Sequence, residues 1–385
     1  RLEFQHFLCS SHHGLYRWIR FDPLENQIKY VVRDIFRMYG LEVTFMAKPM
    51  EGVAGNGEHT HMGVSARLKN GKMINLFAPS DTENQFMSPV GFGALMGMLK
   101  NYDVINPFVS SSIDSLNRLK PGYEAPVCTV TSLGHSAQLP SRNRTVLVGL
   151  VREIGNKMAT RFELRSPNPK SNTYLVIAAS YMAMLDGIKA ALESGKTSEE
   201  LEKSISKEYG QEDFYLDTDR IYRSELDVFD EYTAEERDKF FGKAPRTVWE
   251  NICAFDEYPE KLEIFKRDDV MTDLALQSYR QATLDQWKTE LHNRIVPDVM
   301  DVIRHCVKLH DDNDCVDYDR YYWDKIQGLR THLGRDLLDV PCLLTRIIRA
   351  LDTEDYSTAS QLQLEMQEQV EELMQLYIIY RKNLF

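Results

Sequence analysis

An α+β fold followed by an α-helical bundle is the class this sequence predicts, on three observations. Between residues 24 and 195, helix-like and strand-like stretches alternate. Charged side chains recur at every second position in Arg161-Phe162-Glu163-Leu164-Arg165 and in Arg142-Asn143-Arg144, which is the period of a strand. From residue 298 to 385 the pattern is helical throughout.

The elements follow in order. Asn26 to Tyr39 carries Ile28, Val31, Val32, Ile35 and Phe36 at helical spacing, and Leu41 to Met46 reads as a short apolar strand. Gly52, Gly55 and Gly57 then permit turns and a close backbone approach to a ligand. His59-Thr60-His61 places two imidazoles on one side of a strand, as a metal or phosphate site requires, although chance His-x-His pairs are common. The glycine spacing is neither that of a Walker loop nor of a dinucleotide fingerprint. Asn117 to Pro126 holds a Pro-Gly turn with Glu124 beside it, an ordinary loop carboxylate on composition alone. Arg118, Arg142, Arg144, Arg161 and Arg165 repel one another where they face one way unless an anion lies between them, and the planar guanidinium grips carboxylates and phosphates. The simpler alternative is the polar outer face of an antiparallel sheet, with His59 a core histidine and Glu163 paired to Arg161 or Arg165.

Thr173 to Leu192 reads as a long apolar helix whose Met182 and Met184 belong to a core. Residues 196 to 250 are acidic and polar, with Ser198-Glu199-Glu200 as a helix start, and are expected to be a solvated connector. Met271-Thr272-Asp273 caps a helix through Trp287 and Leu291, and Pro297 marks a break. Beyond it, Asp301 to Leu309, Asp336 to Ala350 and Ser360 to Arg381 are expected to form an antiparallel bundle. Leu362, Met366, Val370, Leu373, Tyr377, Tyr380 and Leu384 trace a heptad-like seam, read as local packing rather than a subunit contact. Asp311 to Asp317 resembles a calcium loop but lacks its glycine and closing glutamate, so a solvated acidic turn is expected.

The chain of 385 residues has 46 basic and 58 acidic side chains and a net charge of −12, which excludes a nucleic-acid scaffold. No membrane span or signal peptide is expected. The six cysteines show no Cys-x-x-Cys spacing and are expected to be reduced, in a cytoplasmic protein.

Four segments in order resemble the glutamine synthetase family, closely over residues 25 to 195 and weakly to 295. Lys48-Pro49 through His59-x-His61 is similar to its ATP-site signature, and Asn117 to Pro126 to its flap over the glutamate site. Ser141 to Arg144 is similar to its phosphate-binding Arg-Asn-Arg element, and Arg161 to Asp186-Gly187-Ile188-Lys189 to its metal-binding strand and following helix. The resemblance implies a curved, mostly antiparallel sheet with outer helices, in a catalytic domain over residues 1–295 and a helical extension over 296–385. It implies that ATP phosphorylates the γ-carboxylate of glutamate and ammonia displaces the phosphate, with Mg²⁺ or Mn²⁺. His59 and Glu163 would ligate metal, and His61 would contact nucleotide phosphate. Gly55, Arg118 and Arg165 would bind substrate. Arg144 would stabilise phosphoryl charge and contact ATP, while Glu124 would close the site and take the ammonium proton. A homo-oligomeric ring is implied as well.

Departures accompany the matches. Gly14 follows His12-His13 where a glutamate is expected, and Leu15 to Phe21 holds none. Ala54, Gly63 and Gly149 stand where Asn, Ser and Arg are usual, and the stretch between Pro126 and Ser141 is longer. An N-terminally truncated, weakly active or inactive chain is therefore expected. The alternatives are a γ-glutamyl ligase for another amine and a non-catalytic nucleotide- or glutamate-binding relative with a regulatory or structural role.

Overall fold

A computed structural model describes residues 2–8, 24–50, 53–119, 128–153, 155–311, 313 and 315–383. Glu124, His12, His13 and Gly14 lie outside the described residues, as do Asp312 and Asp314 of the acidic turn. The chain divides into two compact units, one of residues 1–245 and 254–276 and one of residues 246–253 and 277–385.

The first unit is built on a mixed sheet. Its strands are β1 (Leu2–Leu8), β2 (Thr60–Arg67), β3 (Met73–Asn75), β4 (Cys128–Ser132), β5 (Val146–Val151) and β6 (Arg161–Leu164). Among the described residues these six run in the order β1-β2-β6-β5-β4, with β3 against β2. The β4–β5 pair is parallel and the other pairings are antiparallel. The helices of this unit are α1 (Leu24–Met38), α2 (Pro89–Lys100), α3 (Tyr102–Val109), α4 (Ile113–Arg118), α5 (Thr173–Ser194), α6 (Ser198–Ile205) and α7 (Ala234–Phe241). α8 (Val248–Glu257), α9 (Pro259–Leu262) and α10 (Asp273–Glu290) follow.

α2 and α5 cross at glycines. A Cβ on Gly97 would lie 2.1 Å from the Ala183 carbonyl oxygen, and one on Gly187 would lie 2.1 Å from that of Gly93. Only bare backbone allows this approach, and it buries Met96 and Met98 on one helix with Met182 and Met184 on the other. α5 is, among the described residues, long and apolar enough to cross a membrane by length and composition, which the sequence reading did not anticipate. Half of its most apolar stretch is buried inside the protein.

Several sequence expectations change. Leu41–Met46 joins no ladder: the chain turns at Gly40 (φ +70°) and Leu41 is 55% exposed. Ser141–Arg144 is irregular, and β5 starts only at Val146. Residues 196–250 are not a solvated connector. Tyr222, Val228 and Phe241 are fully buried, and Val228 and Phe241 share a cluster with Cys128, Val130 and Val146 of the sheet. Lys261 donates to Asp103 (3.0 Å) and Asp217 (2.8 Å), and Arg220 donates to Asp103 (3.0 Å). This buried ion network is worth keeping only because every charge in it has a partner. Composition misled here because some of its charges, Arg220 and Asp217 among them, pair inside the protein with Asp103 and Lys261 while others of the stretch stay exposed. α6 does begin as expected, with Thr197 and Glu200 forming a reciprocal cap.

The second unit is helical. α10 continues through a π turn at Leu291–Ile295 into α11 (Val296–His305), so Pro297 does not end the helix. Proline removes one backbone donor, and a local π turn re-registers the carbonyls it would orphan. α12 (Asp317–Gly334) falls within the stretch read as helical but is not one of the three helices named for the bundle. α13 (Leu343–Asp352) and α14 (Tyr356–Lys382) complete the unit, and α12 and α13 both pack on α14. Leu362, Met366, Leu373, Tyr377 and Tyr380 of the seam are buried within the chain, and Leu384 lies outside the described residues. Trp287 is fully buried and its Nε1 donates to Gln363 Oε1 at 2.8 Å. The five described cysteines are free.

Candidate active site

The β2–β6 ladder sets the site. Its register puts His61 opposite Glu163 and Met62 opposite Phe162. Alternation then separates two faces: Met62 and Phe162 are fully buried, with Phe77 stacked on Phe162 at 4.8 Å, while His61 and Glu163 point the other way. His59, one residue before β2, reaches Glu163 Oε1 through Nδ1 at 2.8 Å. Arg165, just past β6, donates from Nη1 to Glu163 Oε2 at 3.4 Å. Arg161 Nε donates to His61 Nδ1 at 3.1 Å.

These contacts fix protonation. Burial pushes Glu163 upward, but the His59 hydrogen bond and the charges of Arg165, His59 and His61 outweigh it and hold the carboxyl at about 2. Glu163 is thus ionised and accepts from His59 Nδ1–H. Burial, helped by the Arg161 charge, lowers His61 to about 4. His61 is neutral, and because its Nδ1 accepts from Arg161, its proton sits on Nε2.

Arg118, at the end of α4, is buried and donates to the carbonyls of Ser166 (2.8 Å) and Arg165 (3.3 Å). Burial lowers its pKa to about 10, so it keeps its charge at neutral pH. The glycine loop wraps it: a Cβ on Gly57 would fall 2.6 Å from Arg118 Nη2, and one on Gly55 would fall 2.4 Å from the Ala47 carbonyl oxygen. Across the sheet, Arg142, Asn143 and Arg144 line a cleft of about 520 Å³ together with Gly149, Glu163 and Arg165. The structure therefore gathers Glu163, Arg165 and Arg144 about one cleft, with His59 hydrogen-bonded to Glu163, Arg118 against Gly55 and Gly57, and His61 on the same sheet face as Glu163.

Residues 25–215 match the family described as glutamine synthetase, catalytic domain. The chain is 38% identical over 184 residues to glutamine synthetase of Aquifex aeolicus, 39% over 168 residues to that of Escherichia coli K12, and 32% over 240 residues to that of Pyrococcus horikoshii. Residues 25–215 belong to the glutamine synthetase family. These matches take in 46%, 44% and 61% of this chain, but only 36%, 32% and 48% of those relatives' lengths.

Within the glutamine synthetase segment, Gly149 lies opposite Glu163 on β5 with room for a side chain, since a Cβ there would come no nearer than 3.7 Å to Glu163. Two supporting carboxylates escaped the sequence reading. Asp114 is buried and accepts from Ala47 N–H (2.7 Å), Ser112 Oγ (2.8 Å) and Lys170 Nζ (3.1 Å), which anchors the start of the glycine loop. Glu225 accepts from the Leu133 (3.1 Å) and Gly134 (2.8 Å) amides. Each has one partner two residues away, but its remaining partners are distant in sequence.

Proposed function

We propose that the site serves ATP-dependent ligation of ammonia to the γ-carboxylate of glutamate, through γ-glutamyl phosphate. The observation that supports this reading best is the ionised Glu163 held between His59 and Arg165, facing Arg144 across one cleft. His59 and Glu163 would hold Mg²⁺ or Mn²⁺ with the ion in place of their direct hydrogen bond: an imidazole with a carboxylate is the borderline-hard donor set those ions accept. Among the described residues no group of three or more such side chains gathers, and full coordination takes further oxygen ligands. When bound, the metal would neutralise phosphate charge.

The remaining roles fall to the chain's own groups. Neutral His61 donates its Nε2–H to an anionic oxygen. Arg165 and Arg118 hold carboxylate and phosphoryl charge, and Arg144 balances the charge that develops during transfer. Gly55 admits the substrate close to the backbone, and Glu124 takes the ammonium proton. A curved sheet, a homo-oligomer and a cytoplasmic setting belong to the same reading, as does an extension over 296–385. Purified chain given Mn²⁺, ATP, glutamate and ammonia should bind ATP and form glutamine slowly, with ADP released in equal amount. Failure to bind ATP, together with absent glutamine, overturns the reading.

A further inference from the structure

The loop that carries Arg142 and Arg144 has no strand ladder to hold it, and a strap from later in the chain does so instead. Four donors converge on the carboxylate of Glu225. Gly134 N–H (2.8 Å) and the Ser132 hydroxyl reach Oε2, and Leu133 N–H (3.1 Å) and Arg223 Nε (2.8 Å) reach Oε1. A carboxylate accepts about four such bonds, so Glu225 is saturated. Burial raises its pKa, and the hydrogen bonds from Ser132, Arg223 and the two amides reverse that, so it stays ionised.

The connection continues into the arginine segment. The Ser132 hydroxyl also meets that of Ser141, and Ser141 Oγ accepts from Asn143 N–H at 3.1 Å. Asn143 Nδ2 donates to the Leu226 carbonyl at 2.7 Å, and Val228 N–H donates to Thr145 Oγ1 at 3.1 Å. At the other end of the loop Arg223 Nη2 donates to the Gly134 carbonyl at 3.0 Å. Gly134 has φ +99°, and a Cβ there would lie 2.2 Å from the Leu139 carbonyl oxygen, so the loop closes tightly on itself at that point. Residues 223–228 thus grip both ends of the loop over 133–145, and Arg142 to Arg144, at its second end, line the cleft beside Glu163 and Arg165. The strap lies beyond the family match of residues 25–215.

We propose that Glu225 is a positioning residue that, through Ser132, Ser141 and Asn143, sets where Arg144 meets the nucleotide phosphates. The inference rests on the ligase reading and deepens it: phosphate affinity in this chain depends on a segment outside the matched domain. A purely structural strap would stabilise the protein without coupling to Arg144.

The test is ATP titration of the full chain in Mn²⁺, by calorimetry, for the parent, Arg144→Ala, Glu225→Gln and the double variant. Glutamine keeps the size but offers one acceptor oxygen and turns an N–H₂ toward the donors of Gly134 and Ser132. Each single change should weaken ATP by roughly tenfold, since small misplacements of a charge-bearing group carry penalties of at least that size. The double variant should be no weaker than Arg144→Ala alone, because Glu225 acts through that arginine. Fully additive losses, or an unchanged Glu225→Gln beside a weakened Arg144→Ala, overturn the positioning role and leave the ligase reading standing. A parent that does not bind ATP, or an Arg144→Ala chain that binds as the parent does, overturns the ligase role of Arg144 and this inference with it. Should Glu225→Gln not fold, Asn143→Ala removes the Leu226 tether together with the Asn143 contacts to Thr145; it should show a loss that also disappears in the Arg144→Ala background.

Discussion

The two sides of the cleft are held in different ways. Glu163 and His61 stand on β6 and β2, where the backbone ladder fixes both the side-chain direction and its opposite neighbour. Arg142 and Arg144 stand on an irregular loop, fixed by side-chain hydrogen bonds to Glu225 and to the Leu226 carbonyl. The strand side is rigid by construction, because displacing one residue would break paired backbone bonds on both flanks. The loop side can be displaced by losing one carboxylate. Charge placement is therefore robust on one side and conditional on the other.

The strand side predicts the largest effect. Glu163→Gln keeps the acceptor for His59 but removes the charge, so the fold should survive. Mn²⁺-dependent ATP binding should fall by about a hundredfold, the upper range for groups that hold or orient a metal. Calorimetry in Mn²⁺ reads this directly, and a loss under threefold would mean that Glu163 only pairs with Arg165.

Next comes the scaffold of the same unit. Gly97→Ala puts a methyl 2.1 Å from the Ala183 carbonyl oxygen, a backbone atom that cannot rotate away. Overpacking of this kind destabilises by about 1–3 kcal/mol. Urea denaturation of the variant should show it, and an unchanged midpoint would show that α2 and α5 separate freely.

The same contrast explains what the sequence disclosed. His59, His61 and Glu163 were legible because strand alternation is local: two residues' spacing tells the face. The alternation of Arg142 and Arg144 looked identical in sequence, yet there it belongs to a loop, because the Asn143 side chain rather than a ladder takes up the backbone groups around it. Glu225 was invisible because three of its four partners lie more than ninety residues away. Residues 196–250 read as solvated because their charges, such as Arg220 and Asp217, give no hint that they pair inside the protein. Pro297 read as a break because a π turn leaves no compositional mark. The seam on α14 was legible because a buried stripe repeats locally, whereas α12 hid behind an acidic start.

A smaller effect concerns the two shifted groups of the strand side, His61 and Glu163. Unfolded histidine titrates near 6.5, but buried His61 titrates at about 4. Between those values the unfolded chain binds a proton that the folded chain refuses, so stability falls as pH falls through the window. Glu163 acts with the same sign lower down: its contribution is present above 4.5 and is lost as pH falls toward about 2. In metal-free buffer with EDTA, the thermal midpoint should therefore drop steadily below pH 6.5. His61→Gln should flatten the upper part of that drop and, by removing one of the charges that depress Glu163, make the lower part slightly shallower. An identical slope in the variant would place the titrating group elsewhere.

The smallest effect sharpens the comparison within the loop itself. Arg142 and Arg144 flank Asn143, line the same cleft and are both exposed. A point charge on an exposed side chain is screened by solvent and salt, and it orients nothing unless geometry holds it. If the loop acted only as a cloud of positive charge, the two arginines would be interchangeable. If it acts by placing one guanidinium, they are not. Arg142→Ala should weaken ATP by less than about threefold, with the loss vanishing in high salt, the behaviour of an exposed charge. The Arg144→Ala loss should persist in the same salt. Equal losses with equal salt dependence would show that the loop contributes charge without position, and the tethers from Glu225 would then serve stability alone.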